Sequence, residues 1–511
     1  MATQGRFAAR VGAGILITRV LGFVRERVFA HYFGDGVAAD AYRAALKIPN
    51  VIRNLLGEGT LSASFIPVYA GMIERGEHDD ARRLAGVIAA VLVALAAVAA
   101  LAGVGLAPVI TDIAAPGFDG ATRALTIRLV EIMFPMAGVL ILSAWCLGVL
   151  NTHRQFFLSY VAPAMWNVVQ IATLVVFGAM LWTGTRLVVA LAWGALAGSV
   201  AQLVVQLPHT LRAVGKVAWG FDLNTAGART VIRAWIPVVF GAGVYQISSI
   251  VDTALASFLE QGAVAILGYA QLIAILPVSL FGASIAAVAL PELSRDAVSQ
   301  AHDEIRAKLG DAVRRLAFFV IPAAVGCGVL ASDLVATLFQ TGAFGPTQTA
   351  IAAGVLAAYS IGIPAQASVK LLASGHYALS DTKTPVRVAI VSVITSAVFA
   401  YYAMQTFGPA GIALGAAVGG NVNMMLNYTF LRRRLGMILT AHHLRAIALG
   451  VGSAVLAGTA AWFVAGQLPG AAPWMRALGA GAAFTLVYGA ATTLAGHPEA
   501  LAILRRPSPT E

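Results

Sequence analysis

Charged residues are scarce in this chain of 511 residues, where only 11% are Asp, Glu, Lys or Arg, against about 25% in a typical soluble domain. Together with 59% hydrophobic residues and a mean hydropathy of +0.82, this scarcity excludes a soluble enzyme, a disordered chain and a fibrous protein. The net charge is +11, but the basic residues occupy short loops between apolar runs, a pattern typical of membrane orientation signals rather than of nucleic-acid binding. We therefore expect a bilayer as the solvent.

Cysteine and catalytic motifs are also nearly absent. Cys146 and Cys327 lie in apolar runs, so we predict buried core residues and no disulfide framework. The histidines lack ligand spacing, no Walker loop is present, and Asp79-Asp80 lacks the second acidic motif of a Mg²⁺–pyrophosphate enzyme. We predict no enzymatic activity and no cofactor beyond a coupling ion. Arg19 interrupts the first apolar run too early for a cleavable signal peptide, so the first helix is expected to stay in the mature protein.

Long apolar runs fill the chain instead. A membrane-spanning helix needs about 20 mostly apolar residues, and the runs predict an all-α polytopic membrane protein. Pro49, Gly57 and Gly59 in the second run, and Pro277 and Pro291 in the eighth, predict bends or breaks there. The fourteen predicted spans lie at about 8–30, 38–72, 84–111, 124–149, 157–182, 187–208, 235–259, 263–293, 312–339, 347–373, 386–405, 410–431, 444–466 and 474–495.

The distribution of basic residues predicts the orientation. Most Lys and Arg fall in loops that share one side when both termini are placed in the cytoplasm, as the positive-inside rule favours. Five basic residues then fall on the outer side, namely Arg43, Arg123, Arg128, Arg186 and Arg476.

An internal repeat predicts the domain organisation. Residues 194–215 align without a gap on residues 415–436, and chance similarity between glycine-rich helices is the alternative explanation. Six spans separate the copies, which implies two six-helix halves related by an axis along the membrane normal, as in transporters. The predicted parts are an N-terminal bundle at 1–213, a cytoplasmic linker at 214–234, a C-terminal bundle at 235–436, and two additional helices with a cytoplasmic tail at 437–511.

Ionisable residues inside the first two spans point to function, because each costs roughly 2.5–3.5 kcal/mol to insert. The equivalent stretch of the second half, 234–291, contains no Lys or Arg. We interpret the cluster as an anion site of the N-terminal half, since the planar guanidinium fork suits a pyrophosphate. For Arg27 and Arg43 we favour snorkelling to the interface instead, and for Lys47 the two explanations are equal. The cluster consists of Arg19, Arg25, Glu26, Arg27, Asp40, Arg43, Lys47, Arg53 and Glu58.

Two further features, one in the first span and one in the seventh, bear on the predicted binding site. Arg19, Gly22 and Glu26 share one face of the first helix by their i, i+3, i+7 spacing. Asp252 stands alone in the seventh span and is expected to be protonated or bound to a hard cation such as Na⁺. A neutral aspartic acid bonded to a backbone carbonyl is the alternative.

Several motifs make the chain similar to a known family. The sequence resembles the MurJ (MviN) lipid II flippases at residues 18–26 (TRVLGFVRE), 40–42 (DAY), 47–53 (KIPNVIR), 58–59, 65–67 (FIP), 290–294 (LPELS), 338–344 and 381–385 (DTKTP). This resemblance covers the first twelve spans, and the predicted number of fourteen also agrees. It implies the multidrug/oligosaccharidyl-lipid/polysaccharide exporter superfamily and a V-shaped pair of six-helix bundles.

The resemblance also implies a substrate and its site. The substrate is undecaprenyl-pyrophosphate-linked disaccharide pentapeptide, lipid II. The cavity arginines of the family correspond to Arg19, Arg25 and Arg53, and its acidic positions to Asp40 and Glu58, beside which Glu26 is our own candidate. The sodium ligand that some members have in the seventh span corresponds to Asp252.

One departure from the family pattern concerns the eighth span. Many members have Tyr-Ala-Asp-Arg there, whereas this chain has Tyr269-Ala270-Gln271-Leu272, without the arginine. Either the three remaining arginines hold the pyrophosphate alone, or the substrate is another lipid-linked glycan.

The resulting prediction is a monomeric lipid II flippase of the bacterial inner membrane. It moves its substrate from the cytoplasmic to the periplasmic leaflet by alternating access, driven by the membrane potential or a cation gradient. A flippase for another polyprenyl-pyrophosphate-linked glycan is the first alternative. A multidrug exporter needs an acidic cavity, which the basic cluster disfavours, and a membrane transferase needs a catalytic acid/base or metal set, which the sequence does not show.

Overall fold

The computed structural model describes residues 2–215, 217–298 and 301–504, and helices dominate this part of the chain. Within the described residues, Thr341 and Phe344 form an isolated β-bridge. A π-helical turn at Val278–Gly282 joins two of the helices, α10 and α11, whose ranges follow. The helices of the described residues are α1 Ala2–Phe33, α2 Val37–Leu56, α3 Glu58–Glu74, α4 His78–Gly105, α5 Ala107–Ala114, α6 Gly120–Thr152, α7 Phe156–Ala179, α8 Gly184–Val214, α9 Ala228–Ala256, α10 Ala263–Pro277, α11 Ala283–Val298, α12 His302–Val329, α13 Ala331–Phe339, α14 Pro346–Ala378, α15 Lys383–Phe407, α16 Pro409–Leu435, α17 Ala441–Gly466, α18 Pro473–Leu494 and α19 Pro498–Leu504.

Each of the fourteen predicted spans coincides with a helix or with two consecutive helices. In the described residues, ten helical stretches are long and apolar enough to cross a membrane. The other four predicted spans correspond to α1, the α2–α3 pair, α9 and α16, and α1 and α2 carry the basic cluster. The predicted class, an all-α polytopic membrane protein, is confirmed.

The second and eighth spans are each interrupted at one predicted position, Gly57 and Pro277, whereas Gly59 and Pro291 lie inside α3 and α11. Gly57 separates α2 from α3 with φ −107° and ψ −117°, whereas Pro49 lies inside α2. The π-helical turn begins directly after Pro277. Such turns relieve the loss of the i→i−4 hydrogen bond that proline causes, and they are frequent at functional positions.

The two copies of the repeat end in the same way. Helix α8 stops at Gly215 with φ 81°, and α16 stops at Gly436 with φ 83°. Glycine is favoured at both positions because this left-handed conformation is costly for a residue with a Cβ atom. The matching amide side chains, Gln206 and Asn427, are both fully buried. These matching ends and buried amides agree with the predicted repeat, which stays a prediction.

Contacts divide the chain into two compact units. The first contains Met1–Ala265 with Thr341–Phe344, and the second contains Ile266–Gln340 with Gly345–Glu511. This division groups α9 with the helices that precede it. The predicted domain boundaries at 213, 235 and 436 stay a prediction.

The core of the first unit lies between α3, α4 and α6. Phe65 and Tyr69 stack with ring centroids 5.0 Å apart and pack with Leu84, Ile88 and Trp145 in one buried cluster. The Tyr69 hydroxyl is hydrogen-bonded to His153 Nε2 at 3.0 Å, so the polar tip of this buried ring is satisfied.

A separate buried cluster of the second unit attaches the last two long helices to α12. Ala454, Ala457 and Ala461 present a small-residue face on α17, which allows close approach of helices in a bilayer. Tyr488 of α18 donates its hydroxyl hydrogen to the carbonyl oxygen of Phe318 at 2.7 Å. Both additional helices are thus part of the second unit and pack against its α12.

Candidate functional site

A polar cavity of about 280 Å³ lies inside the first unit. Its lining comes from α1, α2, α6, α7 and α8, helices whose outer faces are apolar. Arg25 and Arg53 are the charged residues that line it. The neutral polar lining residues are Thr18, Ser143, Asn167 and Gln202, with Gly22 and Trp166 beside them. The cavity is therefore cationic and rich in neutral hydrogen-bonding groups.

The spacing along α1 explains its contribution. Thr18, Gly22 and Arg25 lie at i, i+4 and i+7, which places them on one helix face. A Cβ atom at Gly22 meets nothing within 4 Å, so the glycine adds open space to the cavity. Arg53 comes from the last turn of α2, where a cation also interacts favourably with the helix dipole.

Arg25 is held by an aromatic ring and a carboxylate. Its guanidinium carbon lies 4.7 Å from the centre of the Trp166 ring, and its Nη2 donates to Glu26 Oε1 at 2.6 Å. Trp166 is itself fixed, because its Nε1 donates to the carbonyl oxygen of Ala195 at 3.0 Å. Stacking occupies the face of the guanidinium and leaves its remaining in-plane N–H groups able to donate to an anion.

Glu26 neutralises part of the cluster rather than lining the cavity. Its second oxygen accepts a hydrogen bond from Arg43 Nη2 at 2.6 Å, so one carboxylate serves two arginines. Their side chains are only 12–17% exposed. Arg43 also lies 5.2 Å from the centre of the Phe29 ring. The triplet keeps one excess positive charge, which an anionic ligand complements.

The predicted cluster is only partly assembled in the cavity. Arg25 and Arg53 meet there, whereas Arg19 is exposed on α1 and does not line it. The i, i+3, i+7 argument selected the face with Arg19 and Glu26, but the cavity faces Thr18, Gly22 and Arg25.

Asp40 has a structural role that the sequence did not reveal. Its side chain is 3% exposed, and its two oxygens accept hydrogen bonds from the N–H groups of Gly262, at 2.6 Å, and Ala265, at 2.8 Å. It thereby caps the first turn of α10, where orphan N–H groups need an acceptor. The Glu58 side chain lies outside the described residues, so its predicted role stays a prediction.

Asp252 has an ionisable neighbour that sequence reasoning missed. The charges of Lys47 on α2 and Asp252 on α9 interact with each other, although the second half has no Lys or Arg nearby in sequence. In the described part of the chain no group of three or more His, Cys, Asp or Glu side chains could hold a metal ion. Sodium coupling stays a prediction.

A buried amide chain beside the arginines also escaped prediction. Gln202 Nε2 donates to Ser143 Oγ at 2.8 Å, and Ser143 Oγ donates to Gln206 Oε1 at 2.5 Å. The signal was present in the repeat, where Gln202 and Gln206 align with Asn423 and Asn427. Amides kept in the middle of an apolar helix require buried partners. The missing eighth-span arginine, by contrast, leaves the exposed Gln271 on α10.

Known structures show the same fold. A structure titled "Lipid II flippase MurJ, inward closed conformation" superposes with a TM-score of 0.80 at 21% identity, covering 97% of this chain and 99% of that one. An inward-facing multidrug resistance transporter of the MATE family and MOP superfamily gives a TM-score of 0.70 at 14% identity, covering 84% and 98% of the two chains. At such identities the likeness concerns the fold alone.

Sequence comparison reaches further. A lipid II flippase MurJ of Burkholderia cenocepacia is 34% identical over 454 residues, covering 88% of this chain and 87% of the relative. A probable lipid II flippase MurJ of Vibrio cholerae is 32% identical over 482 residues, covering 91% and 89%. The family described as "Lipid II flippase MurJ" matches residues 29–472. Because that match and these relatives extend over most of its length, the chain belongs to the MurJ family of lipid II flippases.

Proposed function

We propose that this protein moves lipid II from the cytoplasmic to the periplasmic leaflet by alternating access. The observation that carries the proposal is the convergence of Arg25 and Arg53 on a polar cavity inside a helical membrane unit. Family membership supports lipid II as the substrate. The chain belongs to a transporter family, and we propose that it catalyses no covalent reaction.

The lining of the cavity fits a lipid-linked pyrophosphate. Two guanidinium groups can each donate paired hydrogen bonds to phosphate oxygens. Such bonds are stronger in a site of low dielectric than in water. Thr18, Asn167 and Gln202 add neutral donors and acceptors of the kind that bind sugar hydroxyls. The lipid tail stays in the bilayer while the headgroup crosses.

The driving force is proposed to be the membrane potential or a cation gradient. An inside-negative potential drives an anionic headgroup outward by about 2.3 kcal/mol per charge per 100 mV. Transport in vesicles with an imposed potential, and with sodium or pH gradients alone, separates these possibilities.

The cellular setting follows from the same proposal. The protein is a multi-pass membrane protein, and we propose that it works in the bacterial inner membrane as a monomer with both termini in the cytoplasm. Its proposed partners are lipid II and the bilayer, with no role for nucleic acid.

The decisive experiment is complementation of a strain depleted of its own lipid II flippase. Wild-type protein should restore growth, and Arg25→Ala and Arg53→Ala should each abolish it while membrane insertion stays normal. Lysine at either position should rescue poorly, since it keeps the charge and loses the fork. Arg75→Ala is the control, because Arg75 pairs with Glu77 at an exposed site. Growth supported by both alanine variants contradicts the pyrophosphate site.

Arg19 separates the family-based prediction from the cavity geometry. The resemblance assigns Arg19 to the site, so Arg19→Ala is predicted to abolish transport as well. In this structure, however, the side chain is exposed and lies outside the cavity. A headgroup-binding assay decides, since loss of transport with retained binding indicates a contact made in another conformation.

A second candidate is another polyprenyl-pyrophosphate-linked glycan. It is favoured by Gln271, which stands where many family members carry an arginine. Normal expression without complementation, together with binding of a different undecaprenyl-pyrophosphate glycan in competition with lipid II, supports this alternative.

A further inference from the structure

A second cavity in the first unit lies outside the arginine site. It has a volume of about 730 Å³ and is formed mainly by α7 and α8, with one residue from α6. Volumes of roughly 300–1,000 Å³ are usual for sites that bind small molecules. The residues that decide its chemistry are Arg128, Thr173, Phe177, Trp182, Arg186 and Trp193.

The arginines of this cavity differ from the other basic residues that the charge bias assigns to the outer side. Arg43 pairs with Glu26, Arg123 with Asp112 and Arg476 with Asp333. Among the described residues, Arg128 and Arg186 have no such carboxylate partner. Both line the same cavity. Three of the five outer arginines are thus neutralised within the protein, and the two that are not converge on one place.

The position of Arg186 indicates a ligand rather than helix stabilisation. It lies in the first turn of α8, where a cation is disfavoured by the helix dipole and an anion is favoured. The N-cap residue of this helix, Thr183, makes no side-chain capping hydrogen bond. The start of α8 therefore combines helix-terminal N–H groups and a guanidinium on the same side of the membrane-spanning segment.

Aromatic rings orient the guanidinium group. The guanidinium carbon of Arg186 lies 4.7 Å from the centre of the Trp182 ring, and Trp182 stacks on Phe177 with centroids 4.6 Å apart. This stacking buries one face of the cation and leaves its in-plane donors available. Tryptophan at the end of a span is typical of the level of lipid headgroups.

The rest of the cavity is apolar and runs along the span. From Arg186 the lining continues through Val189, Ala190 and Trp193 to Ala197, a distance of about 16 Å at 1.5 Å per helical residue. Positive charge at the interface followed by an apolar groove toward the hydrocarbon matches an amphipathic ligand with an anionic head. A soluble anion has no apolar part that would occupy the groove.

We propose that this groove binds an anionic phospholipid, with its phosphate at Arg128 and Arg186 and an acyl chain along α8. Charge complementarity selects the anionic class over zwitterionic lipids. This site goes beyond the proposed transport function and uses none of the charged residues of the Arg25–Arg53 cavity. It is a selective lipid site, distinct from the exchanging boundary lipids, and its residues belong to the first unit.

The test is a titration of the full-length protein in detergent with phosphatidylglycerol or phosphatidylcholine, with bound lipid counted by native mass spectrometry. Wild-type protein should retain phosphatidylglycerol preferentially. Arg128→Gln and Arg186→Gln should each weaken its binding about fivefold, and together about 25-fold, since a basic residue at the membrane surface contributes a factor of this size. Phosphatidylcholine binding should not change.

Arg123→Gln is the matched control. It removes the same charge from the same helix, α6, but from a residue paired with Asp112, and it should leave phosphatidylglycerol affinity within twofold of wild type. Thermal unfolding of every variant reports whether it is folded. Equal loss in the control, unchanged affinity in the Arg128/Arg186 double variant, or equal binding of both lipids overturns the proposal.

A competition arm distinguishes the lipid of the bilayer from the transported one. An undecaprenyl-pyrophosphate probe should not displace phosphatidylglycerol from wild-type protein. Displacement assigns the groove to the transport substrate and overturns the phospholipid site. Neither outcome depends on whether lipid II is flipped, so failure here is separate from failure of the proposed function.

Discussion

At the residue scale, the cationic cavity depends on a single carboxylate. Glu26 lies between Arg25 and Arg43 with both contacts at 2.6 Å. Without it, two largely buried guanidinium groups face each other uncompensated. Its role in this structure is to set the net charge of the cluster, and the arginines remain the groups that can meet an anion.

Removing that charge should be costly. Glu26→Gln is expected to destabilise the protein by about 3–5 kcal/mol, the usual effect of breaking a buried ion pair, measured as thermal unfolding in detergent. Glu77→Gln breaks an exposed pair with Arg75 and should have little effect on stability, because surface ion pairs are weak. The double variant Glu26→Gln with Arg43→Gln should recover part of the loss. Equal, small effects of Glu26→Gln and Glu77→Gln contradict the buried triplet.

The Lys47–Asp252 interaction gives a second prediction at this scale. Lys47→Met and Asp252→Asn each remove one of two interacting charges. The two single variants together should therefore lose more unfolding free energy than the double variant loses. A double-mutant cycle should show a coupling of about 0.5–3 kcal/mol, read from unfolding free energies. Additive effects mean that the two charges are independent.

Asp252→Asn is also expected to retain lipid II binding while transport becomes independent of an imposed cation gradient. If Asp252→Asn instead transports like the wild type under both sodium and pH gradients, Asp252 is a structural residue only. The two measurements together separate a counter-charge from a coupling site.

At the scale of elements, one family-like motif is a helix start. Asp381 accepts hydrogen bonds from the N–H groups of Lys383, at 3.2 Å, and Thr384, at 3.0 Å, at the beginning of α15. It also pairs with Arg434 near the end of α16 at 3.1 Å. The carboxylate thereby joins two neighbouring helices at their ends, which explains why this loop needs Asp at this position.

The same contacts predict a pH dependence. Burial raises the pKa of Asp381, but Thr384, Arg434 and His376 outweigh it and lower the pKa to about 2. Because the folded pKa is below the unfolded value of about 3.9, its stabilisation is present above pH 4 and is lost as the pH falls toward 2.

Unfolding temperatures measured from pH 7 to pH 3 should show this loss. Asp381→Asn should remove it, and Asp381→Ala should in addition cost about 1 kcal/mol through the lost cap. Asp79→Asn, at an exposed pair with Arg82, is the control that should leave the pH profile unchanged. An unaltered profile in Asp381→Asn rules out this carboxylate as the source.

Another motif connects distant elements within the first unit. The turn at 341–344 docks on the end of α1, where the Ala343 N–H donates to the carbonyl oxygen of His31 at 2.8 Å. A Cβ atom at Gly342, whose φ is +55°, lies in conflict with that same residue. The glycine in the run that resembles the family is therefore required by a close backbone approach.

At the scale of the whole molecule, charge bias predicts orientation. In a variant without Cys146 and Cys327, both buried, single cysteines report the side on which a loop lies. Thr183→Cys should react with a membrane-impermeant maleimide in intact cells, and Ala226→Cys only after the membrane is permeabilised. The opposite pattern means that the termini are periplasmic. Both positions are exposed, so reagent access is set by the membrane and not by packing.

The sequence by itself determined the properties that are local along the chain. A bilayer requires every backbone group to be satisfied within its own helix, so apolar runs of sufficient length define the spans, and Gly57 and Pro277 mark the interruptions. Short motifs identified the family and with it Arg25 and Arg53, whereas helical periodicity alone selected the neighbouring face of α1 with Arg19 and Glu26. These conclusions needed no knowledge of which helices are neighbours.

Only the tertiary structure decided which partner each charge has. Asp40 meets the N–H groups of Gly262 and Ala265, more than 200 residues away, and the charges of Lys47 and Asp252 interact although they lie on different helices. The same holds for Arg128 and Arg186, which converge on one groove. A buried charge is satisfied by whatever packing brings close, and in a chain of many similar apolar helices that choice depends on side-chain fit between helices rather than on the residue types themselves.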